Sequence, residues 1–232
     1  NRYTRYYFGQ ETGENAKPFR FPAVDNWEEL RKQANEAVMP AALATGEAVT
    51  LVDVATIPNV KIENVYAGVD NIFGAPLYTV NKLYLGSKAV EALTKVQERL
   101  ASKGYGLVVW DAYRPWAVSK LAHLALPADK KYMLEDPDLK GNKHNTGNAV
   151  DVSLYDLETG EAIEMSSGFD EPSMRQYASY PGGTERQRYL RTMLRETMEE
   201  FGFTGIEMEW WHFEYHSQTA YSHQNIPLEN LK

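Results

Sequence analysis

The chain contains no cysteine among its 232 residues, which removes disulfides, thiolate nucleophiles, cysteine zinc sites and iron–sulfur clusters together. The fold must therefore be held by an ordinary hydrophobic core, and hydrophobic residues make up 43% of the sequence. A chain of this length and composition suffices for one domain of usual size. Any metal ion must be bound by histidine, aspartate or glutamate. The five histidines are His123, His144, His212, His216 and His223.

Charge and hydropathy narrow the classes of partner. The 24 basic residues stand against 32 acidic ones, so the formal net charge is −8 and the surface repels phosphate backbones. Because no basic stripe offsets this charge, we expect no nucleic-acid partner. The apolar stretches, such as residues 37–44 and 107–110, are far shorter than the ~20 residues of a membrane span. We therefore expect no membrane span.

No internal repeat or linker interrupts the sequence, so we interpret residues 1–232 as one domain and residues 1–22 as an irregular N-terminal arm. Apolar spacing and β-branched runs predict four helices and four strands. The predicted helices cover residues 25–44, 87–103, 116–126 and 184–201, and the predicted strands cover 49–54, 107–113, 149–155 and 207–215. This order predicts an α+β fold with a small central antiparallel sheet and helices packed on it.

Capping residues mark two of the helix starts. Asp25 followed by Glu28 is an N-cap pattern for the first helix. Thr184 and Gln187 form a capping box for the last helix.

The segment around residue 150 offers two possible metal ligands. His144 lies in a polar loop that contains glycine, and Asp151 follows seven residues later on a predicted strand. Apolar residues alternate with Asp151 there, so one strand face is expected to be buried and the other to carry the carboxylate. The alternative interpretation is a solvated histidine and an aspartate that caps a turn.

A second segment places His212 three residues after Glu209, among bulky aromatic residues. Paired tryptophans exclude water and hold a metal ligand still, although His212 could equally be a hydrogen-bonded core residue. On a regular strand the two side chains would point to opposite faces. Either a bulge intervenes or Glu209 lies on the loop leading into the strand, and we favour the loop. Strand parity makes His216 a rival ligand, since it shares a face with His212.

Arg114 lies at the end of a predicted buried strand, where a permanent cation needs an anionic partner. A salt bridge is the simple explanation, and binding of a developing oxyanion is the functional one. His123 is interpreted as a structural residue of a helix, and His223 lies in a polar tail.

Several separated motifs agree on one family. They are Tyr66–Ala67, Asp70–Asn71, Gly104–Gly106, Trp110–Pro115, the His-x6-Asp spacing and the Glu-x-x-His segment. Over residues 51–213 the chain resembles the bacterial D-alanyl-D-alanine dipeptidases. These are zinc aminodipeptidases related to the vancomycin-resistance dipeptidase and, more remotely, to the D,D-carboxypeptidases and the hedgehog signalling domain.

The resemblance implies a metal site and a catalytic group. It implies that His144, Asp151 and His212 bind one zinc ion per chain. Glu209 then corresponds to the catalytic base and acid. The implied reaction is hydrolysis of D-Ala-D-Ala or a close relative by metal-activated water.

The resemblance also implies substrate contacts. Arg114 matches the arginine that stabilises the transition state, and Asp170 matches the aspartate that receives the free ammonium group of the substrate. Two positions depart from the family pattern. Asn142 stands where serine is usual, and Ile72 displaces the aromatic residue, here Phe73, that usually follows the Asp-Asn pair.

Two other functions stay open from the sequence. One is a D,D- or L,D-carboxypeptidase acting on peptidoglycan peptides, and the other is a non-catalytic, zinc-stabilised binding domain. The expected partner is a small dipeptide, and the sequence leaves the oligomeric state open. The start at Asn1, without an initiator Met or an apolar leader, favours the bacterial periplasm over the cytoplasm.

Overall fold

The computed structural model describes residues 19–232. The four helices of this part are α1 (Trp27–Glu36), α2 (Ser87–Ala101), α3 (Trp116–Ala125) and α4 (Glu185–Glu200). Its seven strands are β1 (Leu51–Asp53), β2 (Lys61–Ile62), β3 (Tyr84–Gly86), β4 (Tyr105–Asp111), β5 (Ala149–Asp156), β6 (Phe203–Gly205) and β7 (His212–Tyr215). Within residues 19–232, no helix is both long and apolar enough to cross a membrane.

Five of the strands form the main sheet, in the order β2-β4-β5-β7-β6. Strand β2 runs parallel to β4, and every other neighbouring pair is antiparallel. Strands β1 and β3 form a separate antiparallel pair. The predicted α+β class with a small, mainly antiparallel sheet is confirmed.

Helices α2 and α4 cover one face of the main sheet. Val109 of β4 and Val152 of β5 belong to the same fully buried cluster as Leu93 of α2 and Leu194 of α4. Because side chains alternate along a strand, Asp151 points to the opposite face. Helices α1 and α3 contribute to a second buried cluster that is rich in tyrosine and phenylalanine. Asp151 itself is only 3% exposed.

The predicted first helix is wrong over its second half. Helix α1 ends at Glu36, because Ala37 adopts an extended backbone with ψ 147°. Pro40 then precedes a separate 3₁₀ turn over Ala41–Ala44. The N-cap is Asn26 rather than Asp25, and its side chain makes no capping hydrogen bond.

One further expectation needs correction. The predicted strand over residues 207–215 is regular only over β7, because the residues before His212 form a loop. Both faces of β5 are buried up to Tyr155, so the face that carries Asp151 is enclosed as well. The capping box of Thr184 and Gln187 is confirmed at the start of α4. Of the expected N-terminal arm, residues 1–18 lie outside the described residues.

Candidate metal centre and substrate site

Strand register brings two of the expected metal ligands together. Asp151 of β5 lies opposite His212 of β7 in the antiparallel pairing. The third ligand, His144, comes from a 3₁₀ turn just before β5. Asn142 caps this turn by accepting a hydrogen bond from the His144 backbone N–H at 2.9 Å. Gly147 ends the turn with φ 76°, a left-handed conformation that glycine adopts without strain.

The three side chains form a tight, buried cluster. His144 Nε2 lies 3.1 Å from His212 Nδ1 and 3.4 Å from Asp151 Oδ2. His212 Nδ1 lies 3.0 Å from Asp151 Oδ1. Ligand atoms around a tetrahedral zinc ion, each 2.0–2.2 Å from the metal, lie about 3.3 Å from one another. The spacing of the three side chains therefore fits one metal ion.

Contacts on the outer sides of the imidazoles orient them for this role. His144 Nδ1 lies 2.7 Å from the carbonyl oxygen of Ala112, which can only accept, so Nδ1 carries the hydrogen and Nε2 is free to bind a metal. His212 Nε2 faces Glu214 Oε1 at 3.6 Å. Burial would lower the pKa of His212, but the Asp151 and Glu214 carboxylates outweigh burial and hold this pKa above its usual value. The cluster thus attracts positive charge, as a site for a divalent cation requires.

Glu209 lies on the loop before β7, which confirms the preferred answer to the parity problem. Its carboxylate lies 3.9 Å from His212 Nδ1, and its side chain is 39% exposed. Partial burial raises the pKa of Glu209, and the neighbouring Asp151 carboxylate adds to this rise. A raised pKa makes a carboxylate a better proton acceptor. Glu209 is therefore placed to exchange protons with a water molecule beside the cluster.

Arg114 forms the buried salt bridge that the simple interpretation of the sequence expected. Its Nε and Nη2 donate to Asp111 Oδ2 at 3.1 and 2.6 Å. The Tyr78 hydroxyl donates to Asp111 Oδ1 at 2.6 Å, so the carboxylate is held on both sides. Within residues 19–232, the Arg114 Nη1 forms no hydrogen bond. The guanidinium is thus fixed by one edge, and its Nη1 is available to a ligand.

Asp170 accepts a hydrogen bond from the Tyr66 hydroxyl. Burial raises the pKa of Asp170 to about 7, and the Glu209 and Asp151 carboxylates contribute to the rise through their charge. Three carboxylates thus act on one another in this part of the molecule. A positively charged group placed among them is strongly favoured.

Comparison with known proteins decides the family. A family model described as D-Ala-D-Ala dipeptidase, of the M15 peptidases, matches residues 47–229. The chain belongs to this family.

Two bacterial relatives in the D-Ala-D-Ala dipeptidase family show how far the likeness extends. The D-alanyl-D-alanine dipeptidase of Escherichia coli (strain K12) is 37% identical over 172 residues, which cover 74% of this chain and 87% of that protein. The protein of the same name from Enterococcus faecium is 32% identical over 174 residues, covering 68% and 86%. The solved structure of the LdcB LD-carboxypeptidase aligns over 96% of this chain and 94% of its own, with 15% identity and a TM-score of 0.44.

In this member of the D-Ala-D-Ala dipeptidase family, three supporting residues escaped the sequence reasoning. The sequence offered a clue to Asp111, because it lies three residues before Arg114 and a buried cation needs an anionic partner. The clue to Glu214 was weaker and consisted of the strand face that it shares with His212. Tyr66 belongs to one of the family motifs, but no local pattern indicated its contact with Asp170, which lies 104 residues further along the chain.

The remaining histidines lie apart from the cluster. His216 follows the end of β7 with φ 45°, is exposed, and packs its ring on Tyr215 at 4.0 Å. It is therefore not one of the clustered ligands. His123 lies in α3, and His223 Nδ1 lies 3.1 Å from the Leu43 carbonyl oxygen.

Proposed function

We propose that this chain is a zinc-dependent dipeptidase that hydrolyses D-Ala-D-Ala or a closely related dipeptide, with one zinc ion per chain. The observation that carries the proposal is the cluster of His144, Asp151 and His212 with the Glu209 carboxylate beside it. Membership of a family described by the same reaction supports the choice of substrate.

His144, Asp151 and His212 are the residues that would hold the zinc ion, and three protein ligands are typical of catalytic zinc sites. When bound, zinc supplies a Lewis acid and lowers the pKa of a water molecule toward ~7. Glu209, which is not one of the three ligands, accepts a proton from the attacking water and later donates it to the leaving amine.

Asp170 and Arg114 act on the substrate at two different points. Asp170 binds the free ammonium group, so a dipeptide with an unblocked N-terminus is preferred over a longer or acylated chain. Arg114 donates from Nη1 to the oxygen on which negative charge develops. Losing one such donor typically lowers the rate by about 10²- to 10³-fold.

A product assay with metal-analysed protein tests the proposal. The substrates are D-Ala-D-Ala, L-Ala-L-Ala, N-acetyl-D-Ala-D-Ala and a longer peptidoglycan peptide. We expect release of free alanine from D-Ala-D-Ala and rejection of the acetylated dipeptide. Equal hydrolysis of the acetylated or longer substrate would instead identify a carboxypeptidase. Stoichiometric zinc without any turnover would identify a binding domain.

A further inference from the structure

One segment of the chain carries one of the two working carboxylates and contacts the loop that carries the other. Residues 167–179, named here the bridge segment, carry Asp170 near one end. The other end of the bridge segment runs beside residues 207–210, the loop that carries Glu209.

Hydrogen bonds on both sides of the base fasten its loop to the bridge segment. The Ala178 N–H donates to the Glu207 carbonyl oxygen at 2.9 Å, and the Trp210 N–H donates to the Gln176 carbonyl oxygen at 2.9 Å. The Glu207 carboxylate also accepts from the Ser179 N–H at 3.0 Å and from the Ser179 hydroxyl. The loop is therefore held at the residues that flank the base.

Glu209 depends on these bonds for its position. Within residues 19–232, its carboxylate forms no hydrogen bond, and its nearest ionic contact is His212 Nδ1, 3.9 Å from Glu209 Oε2. The backbone between Glu207 and Trp210 therefore sets where the carboxylate lies. The Trp210 indole N–H forms a further hydrogen bond between the two, because it donates to Ser167 Oγ at 2.8 Å at the start of the bridge segment.

The start of the bridge segment is held by a second carboxylate. Glu171, whose side chain is 10% exposed, accepts from the Gly168 N–H at 3.2 Å, from Arg175 Nε at 2.7 Å and from the Ser173 hydroxyl. These donors lie on both sides of Asp170. Asp170 itself has φ 53°, a conformation that residues other than glycine seldom adopt. The Glu171 contacts thus fix an unusual backbone at the substrate anchor.

We propose that the bridge segment holds the amine anchor Asp170 and the base Glu209 at a fixed separation, with Glu171 and Glu207 as the positioning residue of each. The inference rests on the proposed function and deepens it. It means that recognition of the substrate's ammonium group and placement of the base share one structural element.

The proposed role of Glu207 in positioning the base is tested by turnover and by hydrogen exchange. We expect Glu207→Ala to lower kcat about tenfold with KM little changed. The reason is that Glu209, displaced by a fraction of an ångström, is no longer aligned with the attacking water, while Asp170 stays in place. Glu207→Gln keeps an oxygen that accepts from Ser179 and should restore most of kcat. In chelator-treated protein, Glu207→Ala should speed amide exchange in residues 208–210. Glu200→Ala, which removes an exposed ion pair with Arg99, is the matched control.

The proposed role of Glu171 in positioning Asp170 predicts the opposite kinetic effect, on KM rather than on kcat. Glu171→Gln keeps the shape of the side chain but replaces one acceptor oxygen with a donor that cannot serve the Gly168 N–H. We expect KM for D-Ala-D-Ala to rise about tenfold with kcat changed less, and selectivity over the N-acetyl dipeptide to fall. Both variants should keep the wild-type zinc content.

Three results would overturn the inference. One is unchanged exchange of residues 208–210 in Glu207→Ala, which decides the matter even if the wild-type protein proves inactive. The second is an active wild type in which Glu207→Ala keeps full kcat. The third is the same loss in Glu207→Gln as in Glu207→Ala, since that would indicate a general dependence on the charge. A wild type that hydrolyses no dipeptide refutes the proposed function alone.

Discussion

The proposed metal ligands are held differently from Asp170 and Glu209, the proposed substrate anchor and base. Asp151 and His212 are direct neighbours across two paired strands, and both are at least 94% buried. Asp170 and Glu209 lie on loops, outside any strand, and are less deeply buried. Asp151 and His212 are thus placed by strand pairing, whereas Asp170 and Glu209 depend on the hydrogen bonds that hold their loops.

This difference follows from what each group must do. A metal ion tolerates little change in ligand distance, so rigid strands are the appropriate support. A base and a substrate anchor must meet water and ligand, and surface loops can reach both. We therefore expect changes on the strands to act on metal affinity, and changes on the loops to act on turnover, substrate binding or stability.

The largest effect on zinc affinity is expected at Asp151. Asp151→Asn keeps the shape of the side chain but replaces a charged ligand with a neutral one. Because zinc sites in proteins bind with about 10–16 kcal/mol, losing most of one ligand's share should weaken zinc affinity by roughly 10³-fold. A zinc titration against a competing chelator measures this. Ser153→Ala, two residues along the same strand face, is the control, and wild-type affinity in Asp151→Asn would exclude Asp151 as a ligand.

Glu209→Gln separates turnover from metal binding. Glutamine cannot accept and return the proton, so kcat should fall by about 10²- to 10⁴-fold while zinc affinity stays close to that of the wild type. Glu164→Gln, at an exposed position, serves as the control. Loss of zinc together with activity would show that Glu209 is a ligand rather than the base.

A smaller effect is expected at Glu214, which lies on the side of the His212 ring that faces away from Asp151. Its carboxylate lies 3.6 Å from His212 Nε2, and such partners typically contribute 10- to 100-fold to metal affinity. We expect Glu214→Gln to weaken zinc binding about tenfold, with kcat of the zinc-saturated protein changed less. If Glu214→Gln instead lowers kcat at full zinc occupancy and leaves affinity unchanged, the division between strand and loop roles fails here.

The smallest effect concerns stability at Asp170. Burial raises the pKa of Asp170 to about 7 from an unfolded value of about 4, so the folded state binds the proton more tightly. The wild type therefore loses stability as the pH rises from about 4 to 7, and Asp170→Asn does not share this loss. With chelator present throughout, Asp170→Asn should raise Tm by about 2–4 °C at pH 7.5 and by less at pH 4.5. An equal gain at both pH values would contradict a buried, titrating anchor.

Elements with local signals could be predicted from the sequence. Helix α4 begins where Thr184 and Gln187 place it, because a capping box involves only four consecutive residues. The first helix was extended too far, because the composition up to Ala44 favours a helix while the extended Ala37 before Pro40 ends it. Strands β2, β3 and β6 were missed, since segments of two or three residues carry too little periodicity.

The site likewise contains residues that a local sequence pattern indicates and residues that no local pattern indicates. The spacing of His144 and Asp151 indicated possible ligands. The register between β5 and β7 places His212 opposite Asp151, and the two imidazoles lie 3.1 Å apart. The contact of Tyr66 with Asp170 joins residues that no local pattern connects. The family resemblance indicated that these distant residues belong to one site, because members of a family share a fold and the contacts that the fold creates.

We propose that two imidazoles and one carboxylate, from β7, β5 and the turn before β5, bind a single zinc ion. Anomalous diffraction at the zinc edge, from crystals grown with one equivalent of zinc, tests this arrangement. We expect one strong peak about 2.0–2.2 Å from His144 Nε2, His212 Nδ1 and an Asp151 oxygen, with Glu209 unligated. A peak at other side chains, or Glu209 among the ligands, would contradict the proposed centre.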